Sequence, residues 1–107
     1  MTTKILMAAA ALALVGAGRL AAQQPAGEAN YTKMCASCHG AHGTPSAGMA
    51  HMGVPDFAAA AMASVADSVL RDAIVNGKGH MMPSYKTRLT PAQVEEVVAY
   101  IKTFSKR

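Results

Sequence analysis

Cys35-Ala36-Ser37-Cys38-His39 is the stretch on which the reading of this chain turns. Two thiols three positions apart are followed at once by an imidazole, and on helical backbone positions i, i+3 and i+4 share a side. Upstream, Gly27, Tyr31 and Cys35 stand at i, i+4 and i+8. They mark one face of a helix running from about Ala26 into Cys35, with Pro25 suited to open it. Downstream, Gly40–Val54 is rich in Gly, holds Pro45 and reads as a loop. Phe57–Ala63 is Ala-rich and fits a helical turn or a compact loop. Ser64-Val65-Ala66-Asp67 has the pattern of a capped helix start, Leu70, Ala73 and Ile74 supply an apolar stripe, and Asn76-Gly77 supplies a stop. A second loop, Gly77–Arg88, leads to Thr90-Pro91-Ala92-Gln93, with Thr as N-cap, Pro at the first helical position and Gln at the third. The helix that follows has Val94, Val97, Val98, Ile101 and Phe104 on one face and Lys102 to complement its C-terminal end. No segment alternates long enough for a strand. The expectation is an all-α domain of three to four helices joined by two long loops, and long loops in a small helical domain need an organiser.

The N-terminus reads differently. Lys4 precedes eleven apolar residues, Ile5–Val15, and then a small-residue stretch ending Leu20-Ala21-Ala22-Gln23. Residues 1–22 are expected to be a signal peptide cleaved after Ala22, which leaves 23–107 as a single domain exported to the periplasm. The apolar run is too short to span a bilayer comfortably, so no stable membrane insertion is expected after cleavage. No Arg-Arg pair precedes the run and no Cys follows it, which favours the general secretory route without a lipid anchor. Without 1–22 the formal charge of +4 falls to +2, since Lys4 and Arg19 go with the leader. Of 39 apolar residues left among 85, 15 are Ala, so the core is thin and needs a metal, a cofactor or a partner to complete it. Two Cys exclude a disulfide-dense scaffold. No basic run reaches the length of a nucleic-acid patch, and no nucleic acid partner is expected. No block recurs at a fixed period, which excludes a repeat array.

Cys-x-x-Cys-His is the attachment sequence for haem c. Its spacing lets two thiols meet two vinyl groups at one edge of the macrocycle as thioethers, while His39 brings an imidazole nitrogen over the iron. The same residues also admit a redox dithiol, half a zinc site completed by two of His39, His42, His51 and His80, or a plain disulfide. Haem is favoured because the motif ends a helix with no strand before it, because an export signal precedes it, and because the core is small. A sixth ligand would come from Gly77-Lys78-Gly79-His80-Met81-Met82-Pro83-Ser84-Tyr85, where Met82, Met81 and His80 are the candidate donors. A thioether opposite a His raises the reduction potential, whereas a second His would lower it. Pro83 disfavours helix at Met82. Met49, Met52 and Met62 read as filler around the haem edge. No paired carboxylates or nucleophile constellation accompany the motif, so catalysis is not expected.

In these motifs the chain resembles the class I c-type cytochromes, small single-haem electron carriers of bacteria. Gly27-x-x-x-Tyr31-x-x-x-Cys35-x-x-Cys38-His39-Gly40 is similar to that family's first helix and haem anchor. Asn76-Gly77-Lys78-Gly79 followed by Met82-Pro83 is similar to its Met-ligand loop. Leu89-Thr90-x-x-Gln93-x-x-x-Val97-x-x-Tyr100-Ile101 is similar to its last helix. The resemblance covers about Gly27 to Phe104 and implies a cytochrome c fold wrapped around one haem c. It implies Cys35 and Cys38 as thioether attachments, His39 as proximal ligand and Met82 as distal ligand, in preference to Met81 or His80. It further implies a Gly27/Tyr31 crossing against Val97, Tyr100 and Ile101. The Pro55 carbonyl is expected to accept the His39 Nδ1–H bond, Pro45 being the alternative, and Tyr85 to pack on the haem. The function so implied is a soluble periplasmic electron carrier that works as a monomer. Its donor and acceptor redox proteins would dock weakly at the haem edge, steered by Lys33, Lys78, Lys86 and Arg88. The alternatives are an electron-transfer subunit of a larger redox complex and a gas-binding sensor with a displaceable Met82.

Overall fold

The computed structural model describes residues 24–106, and the expected 1–22 leader lies outside them. The elements in chain order are α1 (Glu28–Met34), α2 (Ala36–His39), α3 (Ala47–His51), a 3₁₀ turn (Ala60–Ser64), α4 (Asp67–Asn76) and α5 (Pro91–Phe104). Among the described residues there is no strand beyond an isolated bridge between Lys78 and Met82, and no helix long and apolar enough to cross a membrane. The fold is all-α, as the periodicity predicts.

The first and last helices cross at Gly27. A Cβ there would lie 2.6 Å from the Glu96 carbonyl carbon and 2.9 Å from the Val97 nitrogen, so only a glycine lets the two backbones meet. The same residue has φ of 87°, a left-handed value that L side chains avoid. This moves the helix start from the expected Ala26 to Glu28, whose N–H reaches back to the Pro25 carbonyl at 3.2 Å. One turn on, Tyr31 is fully buried. Its ring meets Tyr100 at 5.4 Å and Phe104 at 5.2 Å, and those two meet each other at 5.0 Å, all in edge or tilted arrangements. Val97 and Val98 complete the most deeply buried part of the core.

The start of α5 follows the sequence closely. Thr90 Oγ1 accepts the Gln93 N–H at 3.2 Å, and Gln93 Oε1 accepts the Thr90 N–H at 2.9 Å, a reciprocal capping box. α4 lays Leu70 and Ile74 into the core against α5. The exposed Arg71–Glu95 pair joins the two helices, with Arg71 Nη2 2.9 Å from Glu95 Oε2.

Two local expectations are corrected, at Ser64 and in Gly40–Val54. Ser64 does not cap α4. It ends the 3₁₀ turn, and the N-cap is Ala66, with no side-chain cap bond. Lys102 stands in the last turn of α5, as expected, and its Nζ also reaches across to the 3₁₀ turn, donating to the Met62 carbonyl at 3.3 Å, the Ala63 carbonyl at 3.5 Å and the Val65 carbonyl. Gly40–Val54 is not loop throughout, because Ser46 Oγ accepts the Met49 N–H at 3.3 Å and caps α3.

Thr90→Ala should cost about 1 kcal/mol and lower the melting temperature by roughly 4–8 °C. Gly27→Ala adds overpacking to left-handed strain, about 2 kcal/mol or more, and should lower it by roughly 8–16 °C. Thermal melts of the haem-loaded protein, followed at the helix band of circular dichroism, check both.

Candidate functional site

α1 stops at Cys35, whose φ of −118° bends the chain before α2. The bend keeps the ladder nearly continuous: Cys35 N–H bonds to the Tyr31 carbonyl at 2.8 Å and His39 N–H to the Cys35 carbonyl at 2.9 Å. Tyr31 then ties down the far end of the motif, donating its hydroxyl to the Gly40 carbonyl at 2.7 Å. Burial, with Cys35 and Tyr100 nearby, holds the Tyr31 phenol far above its ordinary range, so it acts here as a neutral donor.

Cys35, His39, Gly53, Pro55, Lys78 and Met82 border two adjoining hollows, lobes of one cleft, with gross volumes of about 830 and 940 Å³. Met34, Cys38, Met52, Val54, Met81, Pro83 and Tyr85 wall the outer lobe. Phe57, Met62, Val65, Leu70, Ile74 and Ile101 wall the inner one. Both walls are predominantly apolar, and Lys78 is the charged side chain common to them. Such a cleft takes a large, mainly apolar group.

The imidazole of His39 lies flat against the Phe57 ring, with centroids 4.5 Å apart and planes 10° from parallel. Burial lowers its pKa and keeps it neutral, the form that binds a metal. Its Nδ1 is buried without a hydrogen-bond partner. Pro55 borders the cleft as expected, and the unpaired Nδ1 leaves available the donor that the expected bond to its carbonyl would use.

Cys35 and Cys38 are both free thiols, the first half-buried and the second exposed. Burial, with Cys38 beside it, pushes the Cys35 thiol up to about 11. That disfavours Cys35 as an attacking thiolate. Among the described residues no three His, Cys, Asp or Glu side chains are grouped to hold a metal ion, which leaves the zinc reading without a geometry.

The second loop delivers Met82. Lys78 and Met82 exchange backbone bonds, Lys78 N–H to the Met82 carbonyl at 3.0 Å and Met82 N–H to the Lys78 carbonyl at 3.3 Å. Gly77, at φ 76°, makes room for the return, since a Cβ there would lie 2.7 Å from the Met82 carbonyl oxygen. Ser84 Oγ bonds to the Val75 carbonyl at 2.5 Å, and Tyr85 N–H to the Ile74 carbonyl at 2.9 Å. Tyr85 is buried, borders the outer lobe and donates its hydroxyl to the Met34 carbonyl at 3.0 Å. The Met loop is thus fastened to the chain one residue before Cys35. Met82 is half-buried against the core, whereas Met81 is 56% exposed. His80, His42 and His51 are exposed and border neither lobe. Of the filler methionines, Met52 and Met62 border the cleft and Met49 does not. Lys33, Lys86 and Arg88 are exposed, with Arg88 lying over the Tyr85 ring at 5.0 Å.

Sequence reasoning gave no site role to Phe57 or to the Tyr31 hydroxyl. Phe57 stands alone as a large side chain ahead of an Ala-rich stretch, and that isolation was the available signal. The Tyr31 hydroxyl bond joins residues nine apart and left no trace in periodicity. Together, two free thiols, a half-buried imidazole with a buried, unpaired nitrogen and a half-buried thioether border one apolar cleft. That donor set fits a covalently attached haem, which Cys35, Cys38, His39 and Met82 would hold.

Over residues 22–101 the chain matches the family model described as cytochrome c oxidase, cbb3-type, subunit III. It is 30% identical over 93 residues to a Cbb3-type cytochrome c oxidase subunit CcoP of Azospirillum sp. (strain B510), in an alignment covering 84% of this chain and 31% of that protein. The chain therefore spans about a third of the length of this curated relative. Its fold is similar to the solved KustC0563 c-type cytochrome, with a TM-score of 0.68 and 30% identity, covering 73% of this chain and 95% of that one. A point mutant of the same protein gives a TM-score of 0.67 and 29% identity, covering 74% and 98%. The chain belongs to the family of the cbb3-type cytochrome c oxidase subunit III, as a class I c-type cytochrome whose cofactor is haem c.

Proposed function

We propose that this chain passes single electrons through one haem c as the electron-transfer part of a larger respiratory redox complex. The observation that carries this reading is the family match over residues 22–101, together with the CcoP relative. It replaces the free shuttle as the leading reading. The shuttle keeps one observation in its favour: the KustC0563 cytochrome is matched over 95% of its own chain, so there a fold of this size makes up nearly the whole chain. Both readings place the protein in the periplasm, on the strength of the leader read in residues 1–22.

Bound haem c supplies a one-electron ferric/ferrous couple. The chain's residues do the holding. Cys35 and Cys38 would anchor the haem covalently and His39 and Met82 would be its donors, a thioether paired with an imidazole being a set that favours the ferrous state. The Lys78–Met82 bonds and the Tyr85–Met34 bond keep the loop in place, so that little rearrangement accompanies a change of charge. Met62, Val65, Leu70, Ile74 and Ile101 keep water from the inner lobe. No catalytic step enters this account. Electrons pass at the outer lobe, where the exposed Met52 and Met81 border the cleft, and Lys78 there suits an acidic docking face.

Haem staining of membrane and periplasmic fractions from the native host tests the assignment. Co-migration of the stained chain with a large complex is expected, and recovery solely as a free small protein in the periplasmic extract would restore the shuttle. For the ligands, Met82→Ala should abolish the weak far-red sulfur-to-iron band of the oxidised protein and let the reduced protein bind carbon monoxide. Met81→Leu and His80→Ala should leave that band intact. Its loss in Met81→Leu instead would move the distal ligand by one residue.

A further inference from the structure

We infer that Phe57 is the positioning residue for the axial imidazole: its ring sets the plane of His39, and the crossing of the terminal helices sets its ring. The inference rests on His39 ligating the haem iron.

The geometry runs through four contacts. The His39 and Phe57 rings are nearly parallel, 10° apart at a centroid distance of 4.5 Å, within the range of offset aromatic stacking. Phe57 is itself 5% exposed, and its backbone is fixed by an N–H bond to the Gly43 carbonyl at 2.8 Å. Gly43 is where the two aromatic groups come together. A Cβ there would lie 2.8 Å from the Phe104 ring and 3.1 Å from the Phe57 Cβ. Phe104 in turn packs on Tyr31 and Tyr100 at the crossing of α1 and α5. A packed chain of side chains therefore joins the helix crossing to the ligand's ring. A stacked ring restricts rotation of the imidazole about its Cβ–Cγ bond without adding to its basicity.

Orientation of an axial imidazole governs how unpaired spin is distributed over a low-spin ferric haem. The pattern of paramagnetically shifted haem-methyl resonances, with the electron paramagnetic g values, reads it directly. The test compares oxidised, haem-loaded wild type with Phe57→Leu, Phe57→Met, Phe57→Tyr and Val94→Ala. Val94 is 2% exposed in α5 and borders neither lobe of the cleft, so its truncation weakens the core without touching the stack. Phe57→Met refills the lost volume with a flexible side chain and stands in if Phe57→Leu does not retain haem. The expected result is a rearranged methyl-shift pattern and shifted g values in Phe57→Leu and Phe57→Met. The wild-type pattern should persist in Phe57→Tyr and in Val94→Ala, the latter despite its lower melting temperature. An unchanged pattern in the Leu or Met variant, or an equal change in Val94→Ala, overturns the inference. Wild type without covalent haem or without low-spin His ligation would instead overturn the functional reading beneath it.

Discussion

The approach of α1 to α5 at Gly27 is the contact on which the other arrangements depend. With no side chain at that point, the backbone at Gly27 reaches the Glu96–Val97 peptide directly. Tyr31 then lands one turn further on, inside the aromatic cluster of Tyr100 and Phe104. The Tyr31 hydroxyl extends the effect past the core, because its bond to the Gly40 carbonyl holds the residue that follows His39. A single close helix contact thus positions both ends of the Cys35–His39 motif. A bulkier residue at 27 would separate the helices and loosen the site together with the core.

The core that results is one-sided. Its large buried residues gather around α5, while Met34, Cys35, Met62, Val65 and Met82 pack against that cluster and also line the cleft. In a chain this short, apolar side chains that face a hollow contribute little until the hollow is filled. Haem c would fill it with apolar surface, attached at Cys35 between α1 and α2 and at Cys38 in α2. The loops that looked too long for so small a domain are accounted for in the same way. Gly40–Ser64 and Gly77–Leu89 are the walls of the cofactor's cleft, and each is pinned at its base. Lys102 holds the carbonyls at the end of the first, and Tyr85 fastens the second to Met34.

Much of this was legible in the residues. The heme-anchoring motif, the capping box at Thr90 and Gln93, the apolar face of α5 and the stop at Gly77 are local features, each stated by residue types at fixed offsets. The Gly27–α5 approach followed from the resemblance rather than from periodicity, and the fold has it where the resemblance implied. The choice of Met82 over Met81 gains support from burial, which places one thioether against the core and the other in solvent.

What sequence alone determined is therefore the set of local structures and the chemistry of the donors: an all-α chain, two thiols and an imidazole on one turn, and a thioether in a Gly/Pro loop. Tertiary structure alone decided which groups meet across long separations. Ser64 yielded its expected cap to a turn held by Lys102, nearly forty residues away. His39 took Phe57 as its stacking neighbour, eighteen positions later. Tyr85 found Met34 fifty-one positions earlier. Local offsets encode hydrogen bonds within a turn or a helix face. Contacts such as these depend on how whole elements cross, and that is fixed only when the backbones pack.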